Sequence, residues 1–444
     1  MTTEAKERVL KQVKDDNVRF VRLWFTDILG FLKSFSVSVS ELESAFESGM
    51  GFDGSSIEGF ARIDESDMVA MPDPATFQIF PKEWSTPDSV EARMFCDILK
   101  PGGQPFEGDP RYVLKNNLKR AADMGYIYNV GPELEFFYFE SSEDTIGLDN
   151  GGYFDLTPLD MANDLRRNTV LALEDLGVQV EFSHHEVAAS QHEIDMKYAD
   201  ALTMADTIMT YRLVVKEIAL QNGVYATFMP KPQDSENGSG MHVHQSLFTG
   251  NRNAFFEKDD EYHLSTVGKQ YIAGLLRHAP EITAITNQWV NSYKRLVPGY
   301  EAPVYVSWAR RNRSDLVRVP MYKPGNENAT RVELRSPDPA CNPYLTFAVM
   351  LAAGLEGIEN KYELPEPIEQ NIYEMCQEDR DALSIKNLPG SLDDAIAITE
   401  KSDLVRRCLG DHVFYSFIKN KKIEWETYRK QVTDYELKRY LPIL

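Results

Sequence analysis

Gly131–Glu140 reads Gly-Pro-Glu-Leu-Glu-Phe-Phe-Tyr-Phe-Glu. A run of aromatic and aliphatic residues after a Gly-Pro breaker predicts a β-strand. Because the side chains of a strand alternate between faces, Glu133 and Glu135 share one face and the apolar residues share the other. Two neighbouring carboxylates on so apolar a strand are costly unless a positive group lies between them, which favours a metal ion. The alternative is a half-exposed sheet that carries two solvated glutamates.

Composition restricts the class of partner. The 444 residues allow a large core and two or three domains, and the hydrophobic content of 43% with 26% charged residues is typical of a globular protein. A net charge of −22 and a pI near 4.9 argue against nucleic acid or anionic membranes as partners. Anionic substrates would therefore need arginines or metal ions around them.

The four cysteines are far apart in the sequence, at Cys96, Cys341, Cys376 and Cys408. Their spacing is that of neither a zinc site nor a disulfide framework, which favours a reducing cytoplasm. The first 16 residues lack an apolar segment of the kind that signal peptides contain, and no run of about 18 apolar residues is present. We therefore expect a cytoplasmic protein without a membrane span.

The first hundred residues predict a small domain rich in strands. Glu4–Asp15 has the apolar spacing of a helix, and strands are predicted at Val18–Asp27, Leu32–Ser40, Thr76–Phe80 and Val90–Leu99. The Gly- and Ser-rich stretch Gly51–Phe60 predicts a loop with special backbone angles, either functional or plain surface.

A linker at Lys100–Pro110 separates this domain from the rest, and Asp109-Pro110 predicts the start of a helix that runs to Met124. Further helices are predicted from Thr157-Pro158 to near Gly177, over Ala199–Asn222, and from Asn342-Pro343. Strands and helices mix without strict alternation, which favours an α+β fold over a doubly wound sheet.

Other stretches repeat the pattern of polar residues on one strand face. Glu186 and Glu193 follow histidines, and Met241–Ser246 places His242, His244 and Ser246 on one face. Arg331, Glu333 and Arg335 alternate in the same way, and Arg295–Arg318 is rich in arginine. Any one of these patterns is weak evidence. Together they predict a sheet curved around a charged cavity, with its apolar face packed on helices.

Carboxylates with one or two histidines suit Mg²⁺ or Mn²⁺, whereas zinc favours cysteine or more histidine. Arginines near such cations suit phosphoryl transfer. Glycines in Asn237–Gly240 let backbone N–H groups approach a ligand, and neither a P-loop nor a Gly-x-Gly-x-x-Gly fingerprint is present. The residues by themselves thus predict a two-metal, arginine-assisted enzyme that acts on phosphate.

Several motifs resemble type I glutamine synthetase, in the order of that family: Phe52–Ser56, Gly131–Glu135, Asn237–His244, Lys294–Pro303, Asn312–Ser314 and Arg331–Arg335. The resemblance extends from about Asp27 to the C-terminus. It implies a β-grasp-like N-terminal domain over residues 1–104. It also implies a catalytic domain over 105–444, with a curved antiparallel sheet flanked by helices.

The resemblance also implies a reaction, in which ATP activates glutamate as γ-glutamyl phosphate and ammonia then displaces phosphate. Two or more Mg²⁺ or Mn²⁺ ions would be held by two sets of residues, Glu135, Glu186 and Glu193 in one and Glu133, His242 and Glu333 in the other. The amino-acid substrate would be bound by Arg295, Asn237, Gly238, Glu301 and Arg335. The nucleotide would contact Tyr198, His244, Ser246, Arg313, Arg318 and Arg331, and Arg313 and Arg335 would stabilise the transferred phosphoryl group.

Asp53 and Glu301 match the residues that bind ammonium and take its proton. In the family Asp53 comes from a neighbouring subunit, which implies a homododecamer of two hexameric rings. Arg62 lies where a related subclass has a residue linked to product inhibition. The short chain resembles the subclass regulated by feedback rather than by adenylylation, and Tyr373 is interpreted as an ordinary loop residue.

Three other functions are compatible with the sequence. A γ-glutamyl–amine ligase of the same fold would accept an amine in place of ammonia, although the retained Asp53 and Glu301 argue against it. A non-catalytic relative would have lost metal ligands, and all six are present. A further role in binding a nitrogen-regulatory protein is compatible with the acidic composition.

Overall fold

The computed structural model describes residues 3–55, 57, 59, 67–84, 89–299, 302–310, 312 and 314–444. The strands are β1 Val18–Thr26, β2 Leu32–Ser38, β3 Met50–Asp53, β4 Asp67–Pro72, β5 Gln78–Ile79, β6 Val90–Leu99, β7 Ile127–Phe139, β8 Val180–His185, β9 Gln191–Met196, β10 Ala199–Asp200, β11 Tyr225–Thr227, β12 Met241–Thr249, β13 Arg252–Asn253, β14 Tyr305–Ala309, β15 Asp315–Arg318, β16 Val332–Leu334 and β17 Lys386–Asn387.

The helices are α1 Thr3–Asp15, α2 Leu42–Ser48, α3 Pro110–Asp123, α4 Asn163–Asp175, α5 Ala201–Gln221, α6 Thr266–Thr286, α7 Ser292–Arg295, α8 Pro343–Glu359, α9 Gln377–Ala382, α10 Leu392–Thr399, α11 Asp403–Tyr428 and α12 Asp434–Tyr440. The predicted α+β class is confirmed. Within the described residues, no helix is long and apolar enough to span a bilayer.

The N-terminal part is a sheet in the order β2-β1-β6-β4-β3, with β5 beside β6. Strands β1 and β6 run parallel, and the other neighbours run antiparallel. One face of the sheet packs with Val9 of α1 through residues such as Val21 and Met94. The other face contributes Trp24 and Phe95 to the main core, so the sheet is buried on both sides.

The second part is built on a larger sheet in the order β17-β14-β15-β16-β12-β7-β9-β8. Among the described strand pairs of this sheet, β14 and β15 are parallel and the others are antiparallel. β7 lies between β12 and β9, and it contains Glu133 and Glu135. Its neighbours carry the His242 and Glu193 patterns, which the register therefore brings beside Glu133 and Glu135.

The opposite face of β7 packs on helices, as its alternation predicts. Leu134, Phe136 and Tyr138 are fully buried. Tyr211 of α5 donates from its hydroxyl to the carbonyl of Leu134 at 3.2 Å, and its ring contacts the ring of Phe136. Helices α6 and α8 also pack closely. A Cβ on Gly274 would lie only 2.2 Å from the carbonyl oxygen of Ala353, so glycine is required there. The apolar face is therefore fixed by packing, and the polar face is left to form a cavity.

Two predicted elements differ from the structure. The segment after Thr157-Pro158 forms turns instead of a helix, and α4 begins only at Asn163. Buried carboxylates hold these turns, because Asp149 accepts a hydrogen bond from the Met161 N–H and Asp160 accepts one from the Ala162 N–H.

The predicted strand at residues 76–80 is reduced to the two residues of β5. The Asp73 side chain caps a 3₁₀ turn immediately before this segment, and its carboxylate accepts a hydrogen bond from the Ala75 N–H at 3.1 Å. Local side-chain to backbone bonds of this kind compete with a strand ladder.

A buried charge cluster joins the two parts of the chain. Arg111, in the first turn of α3, donates to Asp73 at 2.9 Å and to Asp97 at 2.5 Å, both in the N-terminal part. It also donates to Asp206 of α5 at 2.9 Å. The Tyr344 hydroxyl, at the start of α8, donates to Asp206 at 2.6 Å. One guanidinium therefore compensates three carboxylates that come from separate elements.

We expect Arg111→Met to destabilise the protein by about 3–5 kcal/mol, because removing the guanidinium leaves the buried carboxylate of Asp206 without a cation. Chemical denaturation followed by circular dichroism measures the change. The control is Lys119→Met on the same helix, where the lysine forms an exposed pair with Asp123, and there we expect a loss of at most about 0.5 kcal/mol. Equal effects of the two substitutions would contradict the assignment of the cluster as the junction between the two parts.

Candidate active site

The polar face of the large sheet lines a cavity of about 330 Å³. Glu133 and Glu135 both line it, so they do not lie on an open, solvated strand face. The other residues that line the cavity are Tyr153, Phe154, Phe182, His184, Glu186, Val187, Gln191, Glu193, Asp195, Asn237, Gly238, His242, Arg295, Arg318, Glu333 and Arg335. The structure thus brings all six predicted metal ligands to one cavity.

Strand register arranges the polar side chains of the cavity in three rows across the sheet. Residues directly opposite on neighbouring strands point to the same face. The first row is His184, Glu193 and Glu135, the second is Asp195, Glu133 and His242, and the third is His244, Glu333 and Arg318. The first two rows each combine two acidic side chains with a histidine, and the third combines Glu333 with a histidine and an arginine. Carboxylate and imidazole are donors that a hard divalent cation accepts.

The second and third rows meet at Glu133. His244 Nε2 lies 2.7 Å from Glu133 Oε1, and Arg331 Nε donates to His244 Nδ1 at 3.2 Å. Because Nδ1 accepts the bond from Arg331, Nε2 is the ring nitrogen that donates to Glu133. Burial raises the pKa of Glu133, but hydrogen bonds from His242 and His244 outweigh it and hold the pKa well below its usual range.

His242 lies between two carboxylates, with Nδ1 3.5 Å from Glu133 and 3.8 Å from Glu333. Glu333 is buried and contacts both Arg318 and Arg335. Its pKa is lowered, because nearby histidines and arginines outweigh the effect of burial. Glu333 also fixes the two arginines in place at the rim of the cavity.

The first row is short of positive charge. Burial raises the pKa of Glu135 to about 7, although the Gly240 N–H and the Gln191 amide donate to it at 2.9 and 3.0 Å. Burial and the neighbouring Asp195 and Glu135 raise the pKa of Glu193 well above its usual range. His184 lies 3.3 Å from Glu193 and 3.5 Å from Glu186. A divalent cation would compensate this excess of negative charge.

The closest groupings of possible ligand atoms differ in part from the predicted sets. Glu133, His244 and Glu333 form one group with ligand atoms within 4.8 Å of one another, and His184, Glu193 and Asp195 form another. His244 thus lies as close to this centre as the predicted ligand His242. The donor chemistry of both groups, mostly carboxylate oxygen with one imidazole, fits Mg²⁺ or Mn²⁺.

Glycines shape the other end of the cavity around Arg295. The Arg295 guanidinium is buried and donates to the carbonyl oxygens of Ser336, Pro337 and Arg335 at 2.7 to 3.2 Å. A Cβ on Gly238 would lie 2.3 Å from the Pro230 carbonyl oxygen, and one on Gly240 would lie 2.5 Å from Arg295 Nη2. The backbone can follow the arginine this closely only without side chains.

A buried network supports the β8–β9 hairpin that carries Glu186 and Glu193. Asp149 accepts hydrogen bonds from the Ser190 N–H at 3.0 Å and contacts His185 Nε2 at 3.0 Å. Arg166 donates to His192 Nδ1 at 2.8 Å, and it pairs with Asp160. Asp149, His185 and His192 are also close enough to form a metal-type cluster. Because Arg166 occupies His192 Nδ1, this cluster is better explained as a scaffold for the hairpin.

The other predicted residues are distributed as follows. Tyr198 is exposed and packs beside Gly131, Ser246 is buried in β12, and Arg331 contacts His244. Asp53 lies in β3 and does not line the cavity. Three predicted residues, Arg62, Glu301 and Arg313, lie outside the described residues.

Asp195, His184 and Gln191 line the cavity but were absent from the sequence-based set of ligands and substrate contacts. The signal for two of them was present, since Gln191, Glu193 and Asp195 alternate along β9 and therefore share a face. The place of His184 depends on the pairing of β8 with β9, which no local pattern gives. Tyr153 and Phe154 come from a loop, and nothing in their spacing predicts the cavity.

Family profiles match both parts of the chain. The profile described as "Glutamine synthetase, beta-Grasp domain" matches residues 17–101, and "Glutamine synthetase, catalytic domain" matches 107–440. The glutamine synthetase of Mycolicibacterium smegmatis is 55% identical over 442 residues, which cover 99% of each chain. The chain belongs to the glutamine synthetase family. The glutamine synthetase of Methanosarcina mazei is 52% identical over 444 residues, which cover 99% of this chain and 98% of the Methanosarcina protein.

Solved structures of similar proteins agree with this family. The electron cryomicroscopy structure of Plasmodium falciparum glutamine synthetase has a TM-score of 0.88 at 26% identity, with 98% of both chains covered. A complex of the protein GmaS with ADP has a TM-score of 0.89 at 31% identity, covering 98% of this chain and 99% of that one. The β-grasp domain and the curved catalytic sheet predicted for the family are confirmed. The division of the chain at residues 104 and 105 stays a prediction.

We expect divalent cations to displace protons from this cavity near pH 7. Burial raises the pKa of Glu135 to about 7, so this carboxyl is partly protonated near neutral pH, and a cation binds only the carboxylate form. Binding of Mn²⁺ at pH 7 should therefore release on the order of one proton per chain, and the apparent affinity should rise from pH 6 to pH 8.

Calorimetry in two buffers of different ionisation enthalpy measures this release. Glu135→Gln is the matched variant, since it removes one of the titrating carboxyls and should release fewer protons. Binding of Mn²⁺ with no proton exchange at pH 7 would contradict the raised pKa of Glu135.

Proposed function

We propose that the protein joins ammonia to L-glutamate with cleavage of ATP, giving L-glutamine, ADP and phosphate. The observation that carries the proposal is the shared cavity of six carboxylates and three arginines, in a chain of the glutamine synthetase family. A site of this composition suits a phosphoryl transfer in which the cations and arginines neutralise phosphate oxygens. We further propose that it acts in nitrogen assimilation in the cytoplasm, and the four free thiols support a reducing compartment.

Mg²⁺ or Mn²⁺ is the proposed cofactor, with two or more ions for each active site. Glu135, Glu186 and Glu193 would hold one ion, and Glu133, His242 and Glu333 the other. Bound there, the ions would neutralise charge on the phosphates of ATP and align the γ-phosphate. His244, which already contacts Glu133, would orient that carboxylate and adjoin the nucleotide.

The reaction proceeds in two displacements. The γ-carboxylate of glutamate attacks the γ-phosphorus of ATP, ADP leaves, and γ-glutamyl phosphate forms. Ammonia then attacks the acyl carbon, and phosphate leaves. Arg335 and Arg318, which Glu333 holds at the cavity, would stabilise the transferred phosphoryl group and the nucleotide phosphates. Arg313 is proposed to act with them.

Arg295 would bind the α-carboxylate of glutamate, since its buried guanidinium lies at the cavity wall. Asn237 and Gly238 line the same end and would contact the amino acid. The nucleotide would extend past His244 toward Tyr198, Ser246 and Arg331. The bound ADP in the structurally similar GmaS complex supports an adenine nucleotide in this fold.

Asp53 and Glu301 would bind ammonium and accept its proton. Because Asp53 does not line the cavity of its own chain, a neighbouring subunit is the proposed source of this carboxylate. The proposed assembly is a homododecamer of two hexameric rings. Exposed apolar residues at the C-terminal end, with Leu444 98% exposed, support contacts between subunits there. Feedback regulation through Arg62 and a nitrogen-regulatory protein partner stay predictions.

We expect phosphate release from ATP and Mg²⁺ only when both glutamate and ammonium are present, because the acyl phosphate must form and then be trapped by the amine. Coupled phosphate release, together with chromatographic detection of glutamine, measures this. Release that ignores ammonium but responds to methylamine or a polyamine would favour the γ-glutamyl–amine ligase instead. Tight metal binding without turnover would favour a non-catalytic relative.

Asp53→Ala should impair the use of ammonium far more than the binding of ATP. If each active site combines two chains, co-expressed Asp53→Ala and Glu333→Ala subunits should regain up to about a quarter of wild-type activity, since that share of random interfaces has both residues intact. Each variant expressed alone is the control. No recovery in mixed oligomers would show that Asp53 acts within its own chain or is structural.

A further inference from the structure

Asp195 is the one carboxylate of the described cavity residues that the predicted metal ligands leave out. It lies on β9, two residues after Glu193 and on the same strand face. Its register partner on β7 is Glu133. The side chain lines the cavity, and the residue is only 4% exposed.

Asp195 has mainly acidic and apolar neighbours across the sheet. Its cross-strand neighbours are the carboxylate of Glu133 on one side and the apolar ring of Phe182 on the other. No described lysine or arginine forms an ion pair with it, and its buried Oδ1 atom has no hydrogen-bond partner. A buried carboxylate oxygen without a hydrogen-bond partner is unfavourable, and a bound cation would satisfy it.

The neighbouring carboxylates differ from Asp195 in this respect. Glu133 and Glu333 are paired with histidines or arginines, and Glu135 accepts a backbone N–H. Glu193 lies within hydrogen-bonding reach of Asp195, and His184 contacts Glu193 at 3.3 Å. Ligand atoms of His184, Glu193 and Asp195 all lie within 4.8 Å of one another. Two contacting carboxylates beside an imidazole form a preorganised site for a hard divalent cation.

A β-bulge in the β8–β9 hairpin lies directly opposite Asp195. The β8–β9 pairing shifts register between Val180 and Phe182, opposite Asp195. Bulges of this kind bend a strand and re-aim side chains, and they are frequent beside active sites. Glu181, at the shift, is exposed and does not line the cavity.

We propose that Asp195 is a metal-binding residue of this chain, which ligates a divalent cation together with Glu193 and with His184 beside them. The residue lies outside the six ligands expected from the family. It adds a negative charge on the side of the cavity between Glu133 and Glu193, and so strengthens the retention of a cation there. Its use in catalysis depends on the proposed ligase reaction, whereas the binding itself does not.

Asp195→Asn tests the proposal, because the amide keeps the shape and removes the charge. Mn²⁺ binding is measured without substrates, by electron paramagnetic resonance of the free ion at pH 8. We expect Asp195→Asn to raise the Kd of at least one Mn²⁺-binding step by about tenfold or more. This is the order of loss when a metal site loses one supporting group. Glu181→Gln is the matched control, since it removes a nearby negative charge that is not a ligand, and it should change affinity less than about twofold.

Thermal unfolding provides an independent measurement with the opposite sign. Without metal, Asp195→Asn should raise Tm, because it relieves repulsion among Asp195, Glu193 and Glu133. Saturating Mg²⁺ should stabilise the variant less than it stabilises the wild type. A misfolded variant would instead lower Tm in both conditions, and a variant that fails to fold is replaced by Asp195→Ser in the same two measurements.

Unchanged binding in every step, with the same Mg²⁺-induced rise in Tm as the wild type, would overturn the proposal. A rise in KM for ATP alone, with metal binding intact, would overturn it in favour of a contact with the nucleotide. If Asp195→Asn loses affinity for Mn²⁺ while the wild type makes no glutamine, the metal site stands and the proposed function fails. The two failures are therefore distinguishable.

Discussion

The structure depends on the placing of many carboxylates on one face of a single sheet. Six of the described cavity residues are acidic, against three arginines, and the sheet holds them in rows that the strand register fixes. Such an arrangement is unfavourable in isolation. It persists because the opposite face of the sheet is packed on α5, so the backbone cannot rearrange to separate the charges. The stability of the core thus supports a site that is itself electrostatically unfavourable.

Two clusters of buried charge support the site, and in both of them the charges are paired. Arg111 satisfies three carboxylates at the junction of the N-terminal and catalytic parts, and none of these faces the cavity. Asp149, Arg166 and their histidine partners satisfy one another under the β8–β9 hairpin. In these two clusters the buried charges are paired, whereas Asp195 and Glu193 in the cavity form no ion pair with a described lysine or arginine. This contrast separates Asp195 and Glu193 from the acids of the two supporting clusters.

Much of the site was predictable because strand alternation is a local property. Period-2 spacing placed Glu133 with Glu135, and His242 with His244, on the polar face of their own strands. Spacing could not divide them between cations, and the family resemblance supplied that division. The resemblance assigned His244 to the nucleotide, whereas the structure places it against both Glu133 and Arg331. The helix predicted to start at Thr157-Pro158 was wrong for its first residues, because the Asp149 carboxylate accepts the Met161 N–H and stabilises turns there.

The sequence by itself determined the α+β class, the central strand, the polar face with its candidate ligands, and the family. These follow from alternation, capping residues and motifs, all of which act over a few residues. Only the tertiary structure decided that Asp195 lies opposite Glu133, that His184 joins Glu193, and that Asp53 is absent from the cavity of its own chain. The physical reason is that strand register and the order of strands are set by packing between segments far apart in the chain, and no local pattern contains that information.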